Sequence, residues 1–288
     1  MSNYSTIIAG CMSWGNWGKQ FSTNEMIAQL NATLETGITT FDHADIYGGY
    51  TTEAQFGKAF HQSNIKREDI QLISKCGIQL IGEKRNNKVG HYEYSREYII
   101  KSVEQSLKNL QTEYLDLLLL HRPSPLMNPE EINEAISKLQ LEGKIKDFGV
   151  SNFTQSQMEL IETKNTINVN QIEFSLTENS AMLDGTLDAM KVRAITPMSW
   201  SPLGTVFKEV TEQTTRIRTV LKELCKKYNA TEDQLLLAWL LKHPSNIHPV
   251  IGTTNRDRIV NAQKAIQITL ELEDWFLLLK ASQGHAVP

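Results

Sequence analysis

The chain has 288 residues, a formal net charge of -4, 40% hydrophobic residues and 22% charged residues. That balance is globular, supplies a large core and argues against a nucleic-acid binder, which would carry a basic face. Three cysteines, Cys11, Cys76 and Cys225, stand far apart with no CxxC pair, which excludes a disulfide framework or thiolate zinc site and fits a reducing cytoplasm.

The first ten residues have no basic region and no long apolar run, so no signal peptide is expected. The most apolar runs, 114–121 and 235–243, are too short to cross a bilayer. The basic run from Lys84 through Arg85 to Lys88 reads as a solvated loop.

In chain order, strand-like and helix-like segments alternate. Residues 5–10 read as a strand. Met26, Ile27, Leu30 and Leu34 then fall at helical spacing over 24–36, and Gly37 stops that helix. Strand 38–42 is followed by a short helix over 52–60, and 70–75 is the next strand. Ser95 is a candidate N-cap for a helix to 110, with Ile99, Val103 and Leu107 on one face. The leucine-rich run 114–121 reads as a strand buried on both faces, as in a parallel sheet. A helix from Pro129 to Leu141 precedes Gly143. Strand 145–151, helix 154–163, strand 170–175 and helix 183–191 continue the series. Strand 194–200 contains Pro197 and leads to helices over 215–228 and 231–242. The last strand is 247–252, a helix opens at 256, and a further helix and tail after 271 are expected to pack across a barrel face.

Eight strands, most followed by a helix and uninterrupted by any linker, predict one (β/α)8 TIM barrel domain over 1–288. An open doubly wound sheet would show a Gly-rich nucleotide turn after its first strand. Residues 9–18, AGCMSWGNWG, are not that turn.

Chemistry in such a barrel sits at the C-terminal ends of the strands. Strand two ends in TTFDHADIYGGY, which brings Asp42 and then Tyr47 to the rim. Three readings compete for it: metal binding, acid–base chemistry with the phenol as acid, or an ordinary polar strand end. Lys75 ends strand three, His121 strand four, and Ser151-Asn152 strand five. Strand six carries Gln171, strand seven ends in Trp200-Ser201, and strand eight in Gly252-Thr253-Thr254. Any one of these residues is innocent alone; together they line one rim. A phenol, with an ordinary pKa of about 10, donates poorly at neutral pH. A neighbouring Lys75 ammonium is expected to lower that value, with Asp42 orienting the lysine and His121 adding a second hydrogen bond to the same substrate oxygen.

At these residues the chain resembles the aldo-keto reductase superfamily, over nearly its whole length. The carrying segments are FDHADIYGG, LISKCG, DLLLLHRP, GKIKDFGVSNF, NQIEFSL, MSWSPLG and VIGTTNRDRI. Within the family, DHADIYGGY and LLLLHRPSPLM are similar to a bacterial branch of predicted oxidoreductases. The resemblance implies the same barrel and reduction of an aldehyde or ketone by NAD(P)H. It places the family's catalytic group on Asp42, Tyr47, Lys75 and His121. It also implies that Ser151, Asn152 and Gln171 hold the nicotinamide amide. Trp200 stands where the family more usually stacks a tyrosine. Ser201, Leu203 and Gly204 would line the pyrophosphate, and Thr253, Thr254 and Arg258 would meet the phosphate, with Arg256 as a substitute. Gly252 stands where many members carry a lysine for the 2′-phosphate, so NADP(H) is expected to be preferred by a modest margin, with NAD(H) accepted.

Two rivals are a metal-dependent barrel hydrolase, using Asp42, His43, Asp45 and His121, and a non-catalytic cofactor-binding subunit. Lys75 beside the site would repel a cation, so no metal is expected, and His43 and Asp45 read as loop residues. The expected partner is a small carbonyl compound, not nucleic acid or membrane. Trp14, Trp17, Tyr50 and His91 are candidate pocket walls, with the loops after strands one and four, the insertion 77–94 and the C-terminal tail shaping the substrate site.

Overall fold

Eight short parallel strands close on one another in the computed structural model, which describes residues 4–82 and 85–286. They are β1 (Ile8–Gly10), β2 (Thr40–Asp42), β3 (Gln71–Cys76), β4 (Leu115–Leu120), β5 (Ile145–Ser151), β6 (Val169–Glu173), β7 (Thr196–Trp200) and β8 (His248–Ile251). Each pairs with the next, and β1 meets β8 with Ile8 opposite Val250 and Ala9 opposite Ile251. The fold is therefore the expected (β/α)8 TIM barrel.

The helices are α1 (Thr23–Glu35), α2 (Thr52–Gln62), α3 (Arg96–Leu110), α4 (Pro129–Leu141), α5 (Gln155–Ile161), α6 (Thr186–Val192), α7 (Glu212–Tyr228), α8 (Glu232–Leu241), α9 (Arg256–Lys264) and α10 (Leu272–Gln283). Several of their starts follow side-chain caps. Ser95 accepts from the Tyr98 N–H, and Asn128 accepts from the Glu130 N–H ahead of Pro129. Thr211 caps α7 through the Thr214 N–H, so that helix begins three residues earlier than its apolar spacing suggests. The first strand is shorter than its sequence reads. The Ser5 hydroxyl turns back onto the Ile7 carbonyl and its N–H bonds Thr40 Oγ1, which replaces ladder pairing there.

Two cores flank the strands. Ile8, Ile73, Leu117, Leu119, Val169, Met198 and Val250 fill the barrel interior. Leu118 and Leu120 face the helices. From Leu117 to Leu120 the leucine run of β4 is thus buried on alternate sides with the two-residue period of a strand.

The C-terminal helix departs from expectation. α10 packs along the barrel wall against α7, and not across a face. Trp275 stacks on Trp239 of α8 at 4.9 Å, and each indole N–H donates to the other's carbonyl. The far end of α10 reaches the loop after β6, where Ser282 Oγ donates to the Leu176 carbonyl at 2.5 Å. The insertion carries a small antiparallel pair, Ile78–Gln79 with His91–Tyr92. Of the basic run, Lys84 lies outside the described residues, whereas Arg85 rests over the Tyr50 ring at 4.6 Å. Among the described residues, no helix is long and apolar enough to cross a membrane.

Candidate active site

Three strand ends converge on the C-terminal rim. Asp42 is the last residue of β2 and pairs with Ile73 of β3. Lys75 lies in β3 opposite Leu119 of β4. His121 follows β4, its N–H donating to the Cys76 carbonyl at 2.9 Å.

Lys75 is only 1% exposed. A buried ammonium is costly unless it is paired and hydrogen-bonded, and this one is both. Its Nζ donates to Asp42 Oδ1 at 2.7 Å, to Oδ2 at 2.8 Å and to the His43 carbonyl at 2.7 Å, and lies 3.2 Å from the Tyr47 hydroxyl. Burial disfavours the charged lysine, but Asp42 and Tyr47 outweigh it and raise its pKa. Gln171 Nε2 adds a hydrogen bond to Asp42 Oδ1 at 3.0 Å. The His121 ring lies edge-on to Tyr47, with centroids 6.1 Å apart. Burial, then Lys75 and Arg122, hold the imidazole pKa well below its ordinary value, so His121 is neutral.

The Tyr47 phenol departs from expectation. Lys75 does pull the Tyr47 pKa down, but burial of the phenol is the larger effect and the net shift is upward. Tyr47 is a fully protonated donor at neutral pH.

The turn after β2 explains how Tyr47 reaches this position. His43 N–H donates to the Ile73 carbonyl and Asp45 N–H to the Lys75 carbonyl, so the chain stays bonded to β3 beyond the strand. Gly48 then adopts a left-handed φ of 63°, and a Cβ there would come within 2.7 Å of Thr51 Oγ1. His43 turns to α2, edge-on to Phe56 at 4.3 Å, and burial drives its pKa down to about 3. Asp45 turns to α3, accepting from the Tyr98 hydroxyl at 3.3 Å and Ser102 Oγ at 3.2 Å. Neither side chain joins Asp42. Among the described residues, no group of three or more His, Cys, Asp or Glu side chains is arranged to hold a metal ion.

The pocket-wall candidates divide. Trp17 is half-exposed with its ring 6.2 Å from that of Tyr47. Trp14 is instead a core residue packed on Phe21, Phe41 and Phe56. Tyr50 holds the insertion, its hydroxyl accepting from the Leu80 N–H at 3.0 Å. His91 is exposed in the small antiparallel pair.

A second group of residues continues the rim. Ser151 pairs with Gln171 across β5 and β6, and its Oγ donates to the Gln171 carbonyl at 2.9 Å. Asn152 has a left-handed φ of 58°. Its Nδ2 donates to Ser151 Oγ and its Oδ1 accepts from the Trp200 indole N–H, both at 3.0 Å. The tryptophan is thereby oriented by a bond that a tyrosine ring has no N–H to make. After Ser201 (φ 49°) a tight turn brings the Gly204 N–H onto the Ser201 carbonyl at 2.7 Å. Gly204 has φ 54°, and a Cβ there would overlap the Thr177 and Ser175 hydroxyls. Leu203 packs beside it against the outer core.

At the end of β8, Gly252 is exposed and has open space where a side chain would stand. Thr253 and Thr254 are partly buried, and Asn255 caps α9 by accepting from the Arg258 N–H. Arg256 is drawn away to Glu35 of α1 at 2.6 Å. The exposed Arg258 guanidinium has no ion-pair partner among the described residues. Arg122 sits within the quoted HRP segment, yet the sequence assigned it no role. Its guanidinium bonds the His121 carbonyl and Ser151 Oγ. The available signal was its place immediately after a strand-ending histidine.

With this geometry in hand, comparison with known proteins defines the class. Residues 6–281 match the model of the aldo/keto reductase family, and the chain belongs to that family of oxidoreductases. It is 43% identical to YcsN, an uncharacterized oxidoreductase of Bacillus subtilis, over 99% of this chain and 96% of that one. It is 38% identical to a 6-dehydroglucose reductase of Agrobacterium fabrum, over 90% and 88% of the two chains. Among solved structures, a thermostable aldo-keto reductase, Tm1743, in complex with the inhibitor epalrestat superposes with a TM-score of 0.81 at 28% identity, over 96% of this chain and 95% of that chain.

Proposed function

We propose that the protein is an NAD(P)H-dependent carbonyl reductase with Tyr47 as general acid. One observation carries the reading: a single buried ammonium, Lys75, grips Asp42 and touches the Tyr47 hydroxyl, with neutral His121 beside the phenol.

A carbonyl oxygen held between Tyr47 and His121 receives two hydrogen bonds. As negative charge builds on that oxygen, Tyr47 passes its proton to it. Lys75, kept charged by Asp42, stabilises the phenolate left behind, which is electrostatic preorganisation at the point where charge develops. His121, being neutral, donates a hydrogen bond without giving up a proton. A nicotinamide held by the rim residues would supply the hydride for the carbonyl carbon.

The rim residues fit such a cofactor chemically. A carboxamide needs donors and acceptors, and Ser151, Asn152 and Gln171 offer both within one bonded cluster. Trp200 would stack on the ring. Ser201, Leu203 and Gly204 would line the pyrophosphate, where the glycine turn keeps side chains out of the way. Thr253, Thr254 and Arg258 at the start of α9 would meet a phosphate. Arg256 is committed to Glu35, so Arg258 carries the preference for NADP(H), and the empty place at Gly252 keeps NAD(H) usable. A carbonyl-reducing relative, the 6-dehydroglucose reductase, supports a small carbonyl substrate.

Tyr47→Phe tests the reading. Turnover should fall roughly 10²–10⁴-fold, with cofactor affinity nearly unchanged. Near-normal turnover would remove Tyr47 from the role.

A further inference from the structure

The Arg122 guanidinium stands between the two halves of the site. Its Nη1 donates to the His121 carbonyl at 2.8 Å and to Ser151 Oγ at 3.1 Å. Its central carbon lies 5.5 Å from the centroid of the Trp200 ring. The residue is partly buried, and among the described residues no carboxylate pairs with it. Glu173, exposed at the end of β6, feels its charge only from a distance. Both hydrogen bonds use one nitrogen. A guanidinium has five N–H donors, so Nε and Nη2 remain uncommitted. Among the described residues neither is buried without a partner, so both stay open to solvent and to a bound acceptor.

In the proposed reaction the carbonyl oxygen is claimed by Tyr47 and His121, and the nicotinamide would lie on Trp200. Arg122 touches His121 on one side and Trp200 on the other. What remains within its reach is a substituent on the neighbouring carbon. We propose that Arg122 is a specificity-determining residue that hydrogen-bonds an oxygen on the carbon next to the reacting carbonyl, so that the enzyme favours α-oxygenated aldehydes and ketones over plain alkyl ones. The inference rests on the carbonyl-reductase reading. The oxygen belongs either to a neutral hydroxyl or to a carboxylate; the guanidinium fork binds both.

The test compares kcat/KM for propanal, glycolaldehyde and glyoxylate at saturating NADPH. Propanal and glycolaldehyde differ only by methyl against hydroxyl. The parent should favour glycolaldehyde or glyoxylate over propanal by roughly tenfold or more. The larger of the two ratios identifies hydroxyl or carboxylate as the natural partner. Arg122→Gln should bring both ratios close to one. Arg122→Lys should keep part of a glyoxylate preference through its charge and lose the glycolaldehyde preference. Ratios within one variant cancel any general loss from the altered Ser151 contact. If Arg122→Gln loses all turnover, the glycolaldehyde ratio is read on Arg122→Lys, where its persistence overturns the proposal. A parent without preference overturns it too. So does an Arg122→Gln enzyme that keeps the ratios and raises only the cofactor KM, since Arg122 would then be a brace for Ser151. If no carbonyl is reduced with either cofactor, the reductase reading fails and takes this one with it. Equal reduction of all three fails this one alone.

Discussion

Tyr47 combines a raised pKa with a cation in contact, and the combination sets a direction on pH dependence. Reduction needs the protonated phenol, which persists past the ordinary phenol value of about 10. The reductive kcat/KM should therefore stay flat across neutral pH and fall only on the alkaline side. Alcohol oxidation needs the phenolate, so its rate should climb as pH rises. Lys75→Met removes the one strong lowering influence on Tyr47. The alkaline limb of reduction should move further up, while the rate at neutral pH drops because the phenolate is no longer stabilised. Paired pH–rate profiles of parent and variant check this, and an unmoved limb with a retained rate would separate Lys75 from Tyr47. That Asp42, Tyr47, Lys75 and His121 meet on one rim was legible in the sequence because each terminates or follows an apolar strand. The direction of the Tyr47 shift was not, because it depends on burial depth, which three-dimensional packing decides. Arg122 was missed for a related reason: an arginine after a strand end reads as solvated until its neighbours are known.

The turn after β2 is held by its own chemistry. Burial, then the Glu53 charge, push the Asp45 carboxyl up to about 7. An unfolded aspartate ionises near about 4, so between these values the folded chain binds more protons than the unfolded one. Stability contributed by the neutral acid is present below that window and is lost as pH rises through it. Asp45→Asn should flatten this loss. Thermal melts should show the parent losing roughly 5 °C relative to the variant between about pH 5 and pH 8. Parallel curves would mean that Asp45 does not titrate in the fold. On the same rim, the turn from β8 into α9 should govern cofactor choice. Arg258→Ala should lower NADPH efficiency by roughly tenfold and barely touch NADH. Gly252→Lys has open space to enter and should raise NADPH preference. Equal changes with both cofactors would place the 2′-phosphate elsewhere. Element boundaries were legible where a cap marks them, as at Ser95 and Pro129. They shifted where side-chain bonds intervene, as at Ser5 and Thr211.

At the scale of the molecule, the alternation of strands and helices determines the barrel, and the barrel brings residues far apart in sequence onto one rim. Gln171 reaching Asp42 across 129 positions is the clearest case. The course of α10 was not legible, because the Trp239–Trp275 stack that fixes it pairs residues whose partnership no local pattern signals. The central claim is that this rim reduces a carbonyl by hydride transfer with Tyr47 supplying the proton. Its most direct test is label transfer: NADPH deuterated at C4 on the transferred face is incubated with glycolaldehyde and the product is weighed by mass spectrometry. The parent should yield alcohol one mass unit heavier, and Tyr47→Phe should yield almost none. Unlabelled product, no product with either cofactor, or equal yield from Tyr47→Phe would contradict it.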